Sequence, residues 1–112
     1  MKPHPWLHGL LEHCLLALLA EHRDYGLGLI QRIAAAGLGD VAGGTLYPAL
    51  LRLETAGLVR TEREQSRSGP PRKYFELTAE GERAARESAR EWASFRSRID
   101  SIIAGAQTGD RS

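Results

Sequence analysis

The sequence predicts a mainly α-helical protein with one small β-hairpin, and three observations support this fold class. Leucines recur at spacings of three and four residues through the first half of the chain, which is typical of amphipathic helices. Two segments of alternating residues flank a Gly-Pro-Pro sequence at 69–71, which is typical of a hairpin. Apolar residues at heptad-like spacing then follow within a charged segment, which indicates a long final helix.

The first two predicted helices lie between residues 7 and 37. The first runs from about Leu7 to Ala20, and its apolar face is wide enough to pack against both the protein core and a partner. Asp24 is a suitable N-cap for the second helix, whose apolar residues follow at helical spacing as far as Gly37. The sequence GLGD at 37–40 predicts a tight connection to a third helix.

The third predicted helix contains a proline, within the sequence GTLYPALLRLETAGLV at 44–59. Leucines at i, i+4 and i+7 form its apolar face: Leu46, Leu50 and Leu53. Gly57 ends the helix. A helix interior disfavours Pro48, because proline lacks the backbone N–H and clashes with the preceding turn. We therefore expect the helix to begin between Gly43 and Thr45, so that Pro48 lies near the first turn and costs at most one hydrogen bond.

A β-hairpin and a long helix complete the predicted order. Residues 58–64 and 72–78 alternate as strands do, and the sequence QSRSGPPR at 65–72 predicts a projecting basic turn. Thr78 is a suitable cap for the last helix. Apolar residues of that helix recur at the a and d positions of a coiled-coil-like seam: Trp92, Phe95, Ile99 and Ile102.

This order of elements is typical of a winged helix-turn-helix, in which the third helix contacts DNA and the hairpin is the wing. We expect a mainly α protein in which a winged helix-turn-helix DNA-binding domain occupies residues 1–77. A dimerisation helix then occupies residues 78–104, and residues 105–112 form a flexible tail.

Composition limits the classes of function. The chain has 112 residues, 42% hydrophobic and 26% charged, which is ordinary for one small soluble domain. Its single cysteine, Cys14, excludes an internal disulfide and favours a reducing compartment. Glu12 and His13 interrupt the apolar N-terminal run, which argues against a signal peptide, and no apolar stretch has the length that spans a bilayer. We therefore expect a cytoplasmic protein without membrane contact.

No group of residues indicates an enzyme or a metal site. His4, His8 and His13 lie close in sequence, but the prolines at 3 and 5 disfavour a helix there, and no carboxylate or cysteine cluster completes a ligand set. No nucleophile, base and orienting group occur at interpretable spacing. We expect no catalysis, no cofactor and no bound metal, and we interpret Cys14 as a buried, inert thiol.

The distribution of charge is more informative than the net charge of +1. Residues 60–73 carry five basic side chains against two acidic ones and form the only positive block of the chain. This block coincides with the predicted hairpin. Basic groups on a projecting hairpin suit contacts with phosphates or with the minor groove, although a solvated loop is the simpler alternative for an isolated basic segment.

Several motifs resemble those of the PadR-type transcriptional regulators. They are Tyr25–Gly26, GTLYPALLRLETAGLV at 44–59, SGPPRKYFELTAEG at 68–81 and EW at 91–92, and the resemblance covers residues 7 to about 103. It implies a homodimeric winged-helix repressor, often responsive to a small molecule, and the chain length resembles the subfamily with one C-terminal helix. Ala42, Gly43 and Leu51 depart from the serine, acidic and basic residues that are common in the family at these positions.

The third helix and the wing supply the predicted DNA contacts. Thr45 and Tyr47 carry hydroxyls that can reach phosphates, and Arg52 can reach a phosphate or a guanine. Pro48 holds this end of the helix, and the resemblance adds Tyr25. The wing contributes three basic residues: Arg67, Arg72 and Lys73. On the residues alone, core packing of Tyr47 and a solvated Arg52 remain open as alternatives, and the resemblance favours DNA contact.

The apolar seam predicts a homodimer whose interface also includes the first helix: Leu7, Leu11, Leu15, Trp92, Phe95, Ile99 and Ile102. Packing in this interface is the simpler interpretation of Trp92 and Phe95. The alternative is that Trp92, with Phe95, lines a cavity between the two subunits in which a planar aromatic effector stacks. We expect the dimer to bind double-stranded DNA at a pseudo-palindromic operator, with the two recognition helices about one helical turn apart.

A second hypothesis is a small-molecule-sensing or protein-interaction dimer in which DNA binding is weak or lost. The motive for it is Leu51, which replaces a basic residue common in the family. Among winged-helix regulators, the alternative family is the MarR type, whose members usually have longer chains with more helices around the core.

Overall fold

The computed structural model describes residues 1–108 and contains the elements of a winged helix. A 3₁₀ helix at Pro5–Gly9 comes first. It is followed by α1 (Leu11–Glu21), β1 (Asp24–Tyr25), α2 (Gly26–Ala35), α3 (Gly43–Thr55), β2 (Val59–Glu64), β3 (Arg72–Leu77) and α4 (Ala79–Thr108). The predicted fold class, mainly helical with a small antiparallel hairpin and a long C-terminal helix, is confirmed.

The first helical segment is divided, whereas the leucine spacing predicts one helix from Leu7. Pro5 begins the 3₁₀ helix, and the His4 side chain caps it by accepting a hydrogen bond of 3.2 Å from the amide of Trp6. Leu10 then leaves helical geometry, with φ −117° and ψ 0°, and α1 begins at Leu11. The periodicity cannot detect this break, because the leucines on both sides of it point to the same core.

One apolar core joins the helices to the sheet. Its most completely buried large side chains are Leu15, Leu29, Ile33, Leu46 and Leu50. Leu7, Leu11 and Leu15 are only 6%, 4% and 0% exposed within a single chain. Their predicted place in a dimer interface is therefore wrong, because side chains enclosed by their own subunit offer no surface to a second one.

Helix α3 begins at Gly43 and tolerates its proline. Pro48 is the sixth helical residue and so lies beyond the first turn. Because it lacks an N–H, the carbonyl of Gly44 loses its helical donor, and the helix continues with that one bond missing. Gly57 has φ +78°, a left-handed conformation that favours glycine, and it ends the helix as predicted.

Strand β3 is the centre of a three-stranded antiparallel sheet of order β1-β3-β2. The predicted hairpin pairs β2 with β3 from Val59 opposite Leu77 to Glu64 opposite Arg72. Strand β1 is an addition that the sequence pattern does not predict, since two residues are too few to show alternation. It places Tyr25 opposite Tyr74.

Asp24 is buried in this sheet and does not cap α2, contrary to the prediction. The N-cap of α2 is Tyr25, which makes no side-chain capping bond. The carboxylate of Asp24 instead accepts hydrogen bonds from the Tyr25 amide, at 2.8 Å, and from Arg32, at 3.3 Å. A Cβ at Gly28 would collide with this carboxylate, so the first turn of α2 requires a glycine there.

Helix α4 packs its N-terminal part on α1, and all its side chains from residue 89 to residue 106 are exposed. Thr78 caps it as predicted, because Thr78 Oγ1 accepts a bond of 3.0 Å from the Gly81 amide. The helix continues to Thr108, beyond the predicted boundary at residue 104. The end of the predicted tail, 109–112, lies outside the described residues. Within residues 1–108, no helix combines the length and apolarity needed to cross a bilayer.

We predict that Gly81→Ala destabilises the protein by about 1–3 kcal/mol, the usual cost of overpacking. A Cβ at Gly81 would collide with the backbone carbonyl of Leu58, which also accepts a 3.0 Å hydrogen bond from the Thr78 amide. Urea denaturation at one protein concentration measures the change. Gly44→Ala is the matched control, because Gly44 also lies in a first helical turn and a Cβ there meets no atom within 4 Å. Equal stability of the two variants would contradict the prediction.

Candidate nucleic-acid interface

The exposed side of α3 lies opposite its buried leucines. Residues at i, i+4, i+7 and i+11 run along the centre of this exposed side: Gly44, Pro48, Leu51 and Thr55. Thr45 and Arg52 lie along one edge, and Tyr47 lies along the other. The centre of the face therefore carries no charge. Hydroxyl and basic groups stand at its edges, and the half-buried Glu54, which accepts a hydrogen bond from Thr61, lies on the same edge as Tyr47.

Tyr47 connects α3 to the start of α2. Its side chain is 49% exposed, so it is not a core residue. Its ring lies directly on Gly26, where an added Cβ would collide with the hydroxyl and ring atoms of Tyr47. The glycine of the Tyr25–Gly26 motif is therefore needed for the two helices to approach each other through this side chain.

Tyr25 connects α2 to the wing, which comprises β2, β3 and the loop 65–71. The centroids of the Tyr25 and Tyr74 rings are 5.5 Å apart. The guanidinium of Arg72 lies over the Tyr25 ring, with Cζ 4.7 Å from its centroid, in a cation–π contact. The contacts from Tyr47 through Gly26 and Tyr25 to Arg72 join the exposed face of α3 and the wing in one continuous surface.

Arg23 fixes the wing from its other side. Its guanidinium bonds to Glu64, lies 3.9 Å from Glu62 and stacks 4.7 Å from the Tyr74 ring centroid. The hydrogen bond to Glu64, together with the charges of both glutamates, raises the pKa of Arg23 above its ordinary value. On β2 and β3, Arg60 also pairs with Glu76 at 3.0 Å. These contacts neutralise the acidic residues of the wing.

The basic residues nearer the tip of the wing are left without acidic partners. Arg63 and Lys73 are directly opposite each other in the β2–β3 register, an arrangement that destabilises a sheet. Within residues 1–108, no carboxylate forms an ion pair with either of them, or with Arg67 in the loop. Arg63 is absent from the predicted site, although the alternation of the two strands places it opposite Lys73.

Arg52 stands at the edge of α3 nearest to α1. Its Nε is 2.7 Å from a carboxylate oxygen of Glu12, and the two side chains are 61% and 42% exposed. An ion pair this exposed to water contributes only about 0–1 kcal/mol, so Arg52 can exchange Glu12 for another anion at little cost. Thr45 is exposed beside it and lines the same depression.

The predicted DNA-contact residues thus fall into three groups, and side-chain alternation along β3 puts Arg72 and Lys73 on opposite faces of the hairpin. Tyr25, Tyr47 and Arg72 lie where α2, α3 and the wing meet, and Pro48 lies on the centre of α3. Arg67 and Lys73 lie along the wing, and Thr45 and Arg52 lie at the far edge of α3. Their contacts with DNA stay predictions.

A second surface of the molecule is apolar and belongs to α4. The side of α4 that carries Ala85 and Ser88 is buried on the body of the chain. The same side continues toward the C-terminus with large residues that are between 36% and 73% exposed: Trp92, Phe95, Ile99, Ile102 and Ile103. Trp6, itself 71% exposed, extends this apolar surface. Contiguous apolar patches of this kind mark interaction sites.

An open cavity of about 480 Å³ lies where α4 meets α1 and the 3₁₀ helix. Its apolar lining includes Trp6, Leu10, Cys14, Leu38 and Trp92. The volume is in the range of small-molecule sites. Burial raises the pKa of the Cys14 thiol, which keeps it protonated at neutral pH and makes it part of the lining rather than a nucleophile.

The predicted effector rings lie at this cavity and just beyond it. Trp92 lines the cavity, and the Phe95 ring centroid is 6.3 Å from that of Trp92, farther along the exposed side of α4. His13 hydrogen-bonds to Ser88 on the cavity wall. In the described part of the chain, no three His, Cys, Asp or Glu side chains are grouped as metal ligands.

Comparisons with known proteins agree with this geometry. The model of the transcriptional regulator PadR-like family matches residues 15–87. No curated protein matches the sequence. Among solved structures, the chain is similar to a PadR-like transcription factor from Bacteroides fragilis, at 37% identity and TM-score 0.74, covering 87% of this chain and 93% of that one.

Two further similar structures are PadR-type regulators. One from Eggerthella lenta has 33% identity and TM-score 0.76, covering 88% of this chain and 85% of that one. One from Bacillus cereus has 29% identity and TM-score 0.77, covering 87% of this chain and 94% of that one. The family match extends from α1 through the wing into α4. The resemblance seen in the motifs is confirmed: this chain belongs to the PadR-like family, whose members are transcriptional regulators and not enzymes.

Proposed function

We propose that this protein is a cytoplasmic, homodimeric repressor that binds a pseudo-palindromic operator and is released from it by a small molecule. The observation that carries the proposal is the series of contacts from Tyr47 through Gly26 and Tyr25 to Arg72. It joins the exposed face of α3 to the basic wing, so that one rigid surface presents both a helix and a row of cations to the same partner.

The face of α3 suits the major groove. A groove about 12 Å wide admits one α-helix, with base edges at its floor and phosphates at its two rims. The uncharged centre of α3 would then face the bases. Its polar edges, with Thr45 and Arg52 on one side and Tyr47 on the other, would meet the phosphates, which fix position without recognising sequence.

The wing suits the phosphate backbone. Arg63 and Lys73 repel each other in the free protein, and a phosphate between or beside them removes that repulsion. Arg72, on the opposite face of the hairpin, and Arg67, in the loop, add further positive charge toward the tip. Release of counterions from DNA by these four cations would supply sequence-independent affinity that falls as salt rises.

The exposed apolar side of α4 suits a second copy of the chain. It continues the stripe that is buried on α1, and it carries two aromatic and three isoleucine side chains that a monomer leaves in water. Pairing two such stripes buries both of them and sets the distance between the two copies of α3. A distance of one helical turn of DNA, about 34–36 Å, would match the two halves of a pseudo-palindrome.

The cavity between α4 and α1 suits the effector. Trp92 lines the cavity and also belongs to the apolar side of α4, so a planar aromatic molecule stacked on it would contact both the subunit body and the dimer seam. A ligand that changes the seating of α4 would change the spacing of the two DNA-contacting helices. Such coupling between two sites is typically worth about fivefold or more in affinity.

We predict that Arg72→Ala combined with Lys73→Ala weakens binding to all DNA sequences and lowers the salt slope. Each lost phosphate contact should reduce the slope of log K against log salt by about one. Fluorescence anisotropy with DNA from upstream of the protein's own gene, over a range of salt, measures this. Arg86→Ala with Arg90→Ala is the matched control, since both arginines are exposed on α4 and the charge change is equal.

A control variant that lowers the slope as much as the wing variant would show that only net charge matters. Absence of binding to several lengths of upstream DNA at low salt would overturn self-regulation. If no binding appears with random-sequence DNA either, the alternative of a sensing or interaction dimer without DNA binding replaces the proposal.

We predict that Ile99→Asp dissociates the dimer, raising its dissociation constant by more than about tenfold, because an unpaired charge buried in the seam costs more than about 1.4 kcal/mol. Sedimentation velocity over a concentration series measures this. Ser97→Asp is the control, because Ser97 is exposed on the opposite side of α4. A parent protein that stays monomeric throughout, or an Ile99→Asp variant that dimerises like Ser97→Asp, would contradict an α4 interface.

We predict that planar aromatic compounds quench Trp92 saturably and lower DNA affinity by about fivefold or more. In a Trp6→Phe variant, Trp92 is the only tryptophan, so all tryptophan emission comes from the side chain that lines both the cavity and the exposed side of α4. Anilinonaphthalene sulfonate is the first probe, because it is aromatic and binds apolar surface whether or not DNA is present. Quenching that saturates without any change in DNA affinity would remove the effector from the proposal and leave the repressor.

A further inference from the structure

Leu51 is the most exposed leucine among residues 1–108, at 61%. It stands at the centre of the outer face of α3. Pro48 precedes it by one turn and Thr55 follows it by one turn on the same face. Its side chain has neither donor nor acceptor, and it lies between the polar edges formed by Tyr47 and Arg52. If this face meets a partner, the leucine packs most favourably on a group that is itself apolar.

We infer that Leu51 determines specificity by packing on the C5-methyl group of thymine in the major groove. The inference rests on the proposed insertion of α3 into that groove. The thymine methyl is the apolar group that bases present there, whereas guanine, adenine and cytosine present acceptors or amino donors. A leucine opposite those groups would desolvate them without returning a hydrogen bond, so guanine and cytosine are disfavoured at this position.

The neighbours of Leu51 support the same partner. Pro48 and Thr55 add ring carbons and a methyl group beside it, so the apolar contact extends along the groove for about two helical turns of α3. Gly44 carries no side chain and has open space around it, which lets the start of the helix approach the bases. The charged groups that hold the DNA are at the edges and on the wing, so the centre is free to distinguish bases by shape.

The face is also separate from the other apolar surface of the chain. The exposed side of α4 begins at Trp92 and is lined with residues of α4 and the 3₁₀ helix, and none of the residues lining its cavities belongs to the outer face of α3. A dimer formed through α4 therefore leaves Leu51 uncovered. The expected operator carries an A·T pair at the position facing Leu51 in each half-site.

The test compares thymine with uracil, which lacks only the methyl group. A duplex enriched from a random-sequence library by binding to the parent protein is copied with either dTTP or dUTP. Competition between the two duplexes in a gel shift should favour the thymine form by about fourfold for each methyl contacted, the effect of burying one methyl-sized group. Leu51→Ala should fold normally by circular dichroism and lose most of this preference, because its shorter side chain buries little of the methyl group.

Leu27→Ala is the matched control, because Leu27 is another exposed leucine, at 51%, on α2 rather than α3. It should keep the parent's preference for thymine. Equal binding of the two duplexes by the parent protein would overturn the role of Leu51 while leaving DNA binding intact. A preference for thymine that is undiminished in Leu51→Ala would overturn it as well, since the methyl would then be recognised elsewhere.

Failure to enrich any duplex at low salt is a different result. It would overturn the proposed function, and the inference about Leu51 with it. A protein partner on the face of α3 would give that same absence of DNA selection, so the experiment separates a base-specific role from a protein-binding one.

Discussion

The close contact of the Tyr47 ring with Gly26 is the constraint on which the rest of the interface depends. The leucines of α3 would pack in the core without Tyr47, and the strands of the wing would pair in the sheet without it. The tyrosine ring, resting where a Cβ would be, fixes the angle between α3 and the start of α2. The ring of Tyr25, the residue before Gly26, in turn contacts the guanidinium of Arg72 on the wing. A helix and a hairpin separated in sequence thereby act as one surface.

On this surface, the charged and hydroxyl groups occupy different positions from the uncharged groups. Cations and hydroxyls are at the edges of α3 and along the wing, where phosphates would run in the proposed complex, and the uncharged centre of α3 is where base edges would lie. Acidic residues of the wing are neutralised within the chain by Arg23 and Arg60, so their charges do not oppose DNA. In the proposed complex, affinity that depends on salt and selectivity that depends on shape would vary independently, because different residues would carry them.

Sequence patterns predicted the order of the helices, the hairpin and the cap at Thr78, because each depends on local spacing or on one side chain. They failed where long-range packing decides. Two residues of β1 cannot alternate, yet pairing with β3 buries Asp24 and moves it away from its expected capping role. Leu7, Leu11 and Leu15 have the spacing of any apolar face, and only the fold shows that the chain's own core encloses them. Arg63 could have been found from strand register, whereas the seat of Tyr47 on Gly26 could not.

One apolar stripe of helix α4 is buried on the body of the chain in its first part and exposed to solvent in its second part. Small residues, Ala85 and Ser88, occupy the stripe where α1 lies close, and Trp92 and Phe95 follow where the body of the chain ends. A cavity lies at this boundary, lined by Ala85 and Ser88 on one side of the change and by Trp92 on the other. Any molecule that fills the cavity must press on the subunit body and on the exposed half of α4 together. The position of the cavity, more than its volume, is what supports the proposal of a regulatory ligand.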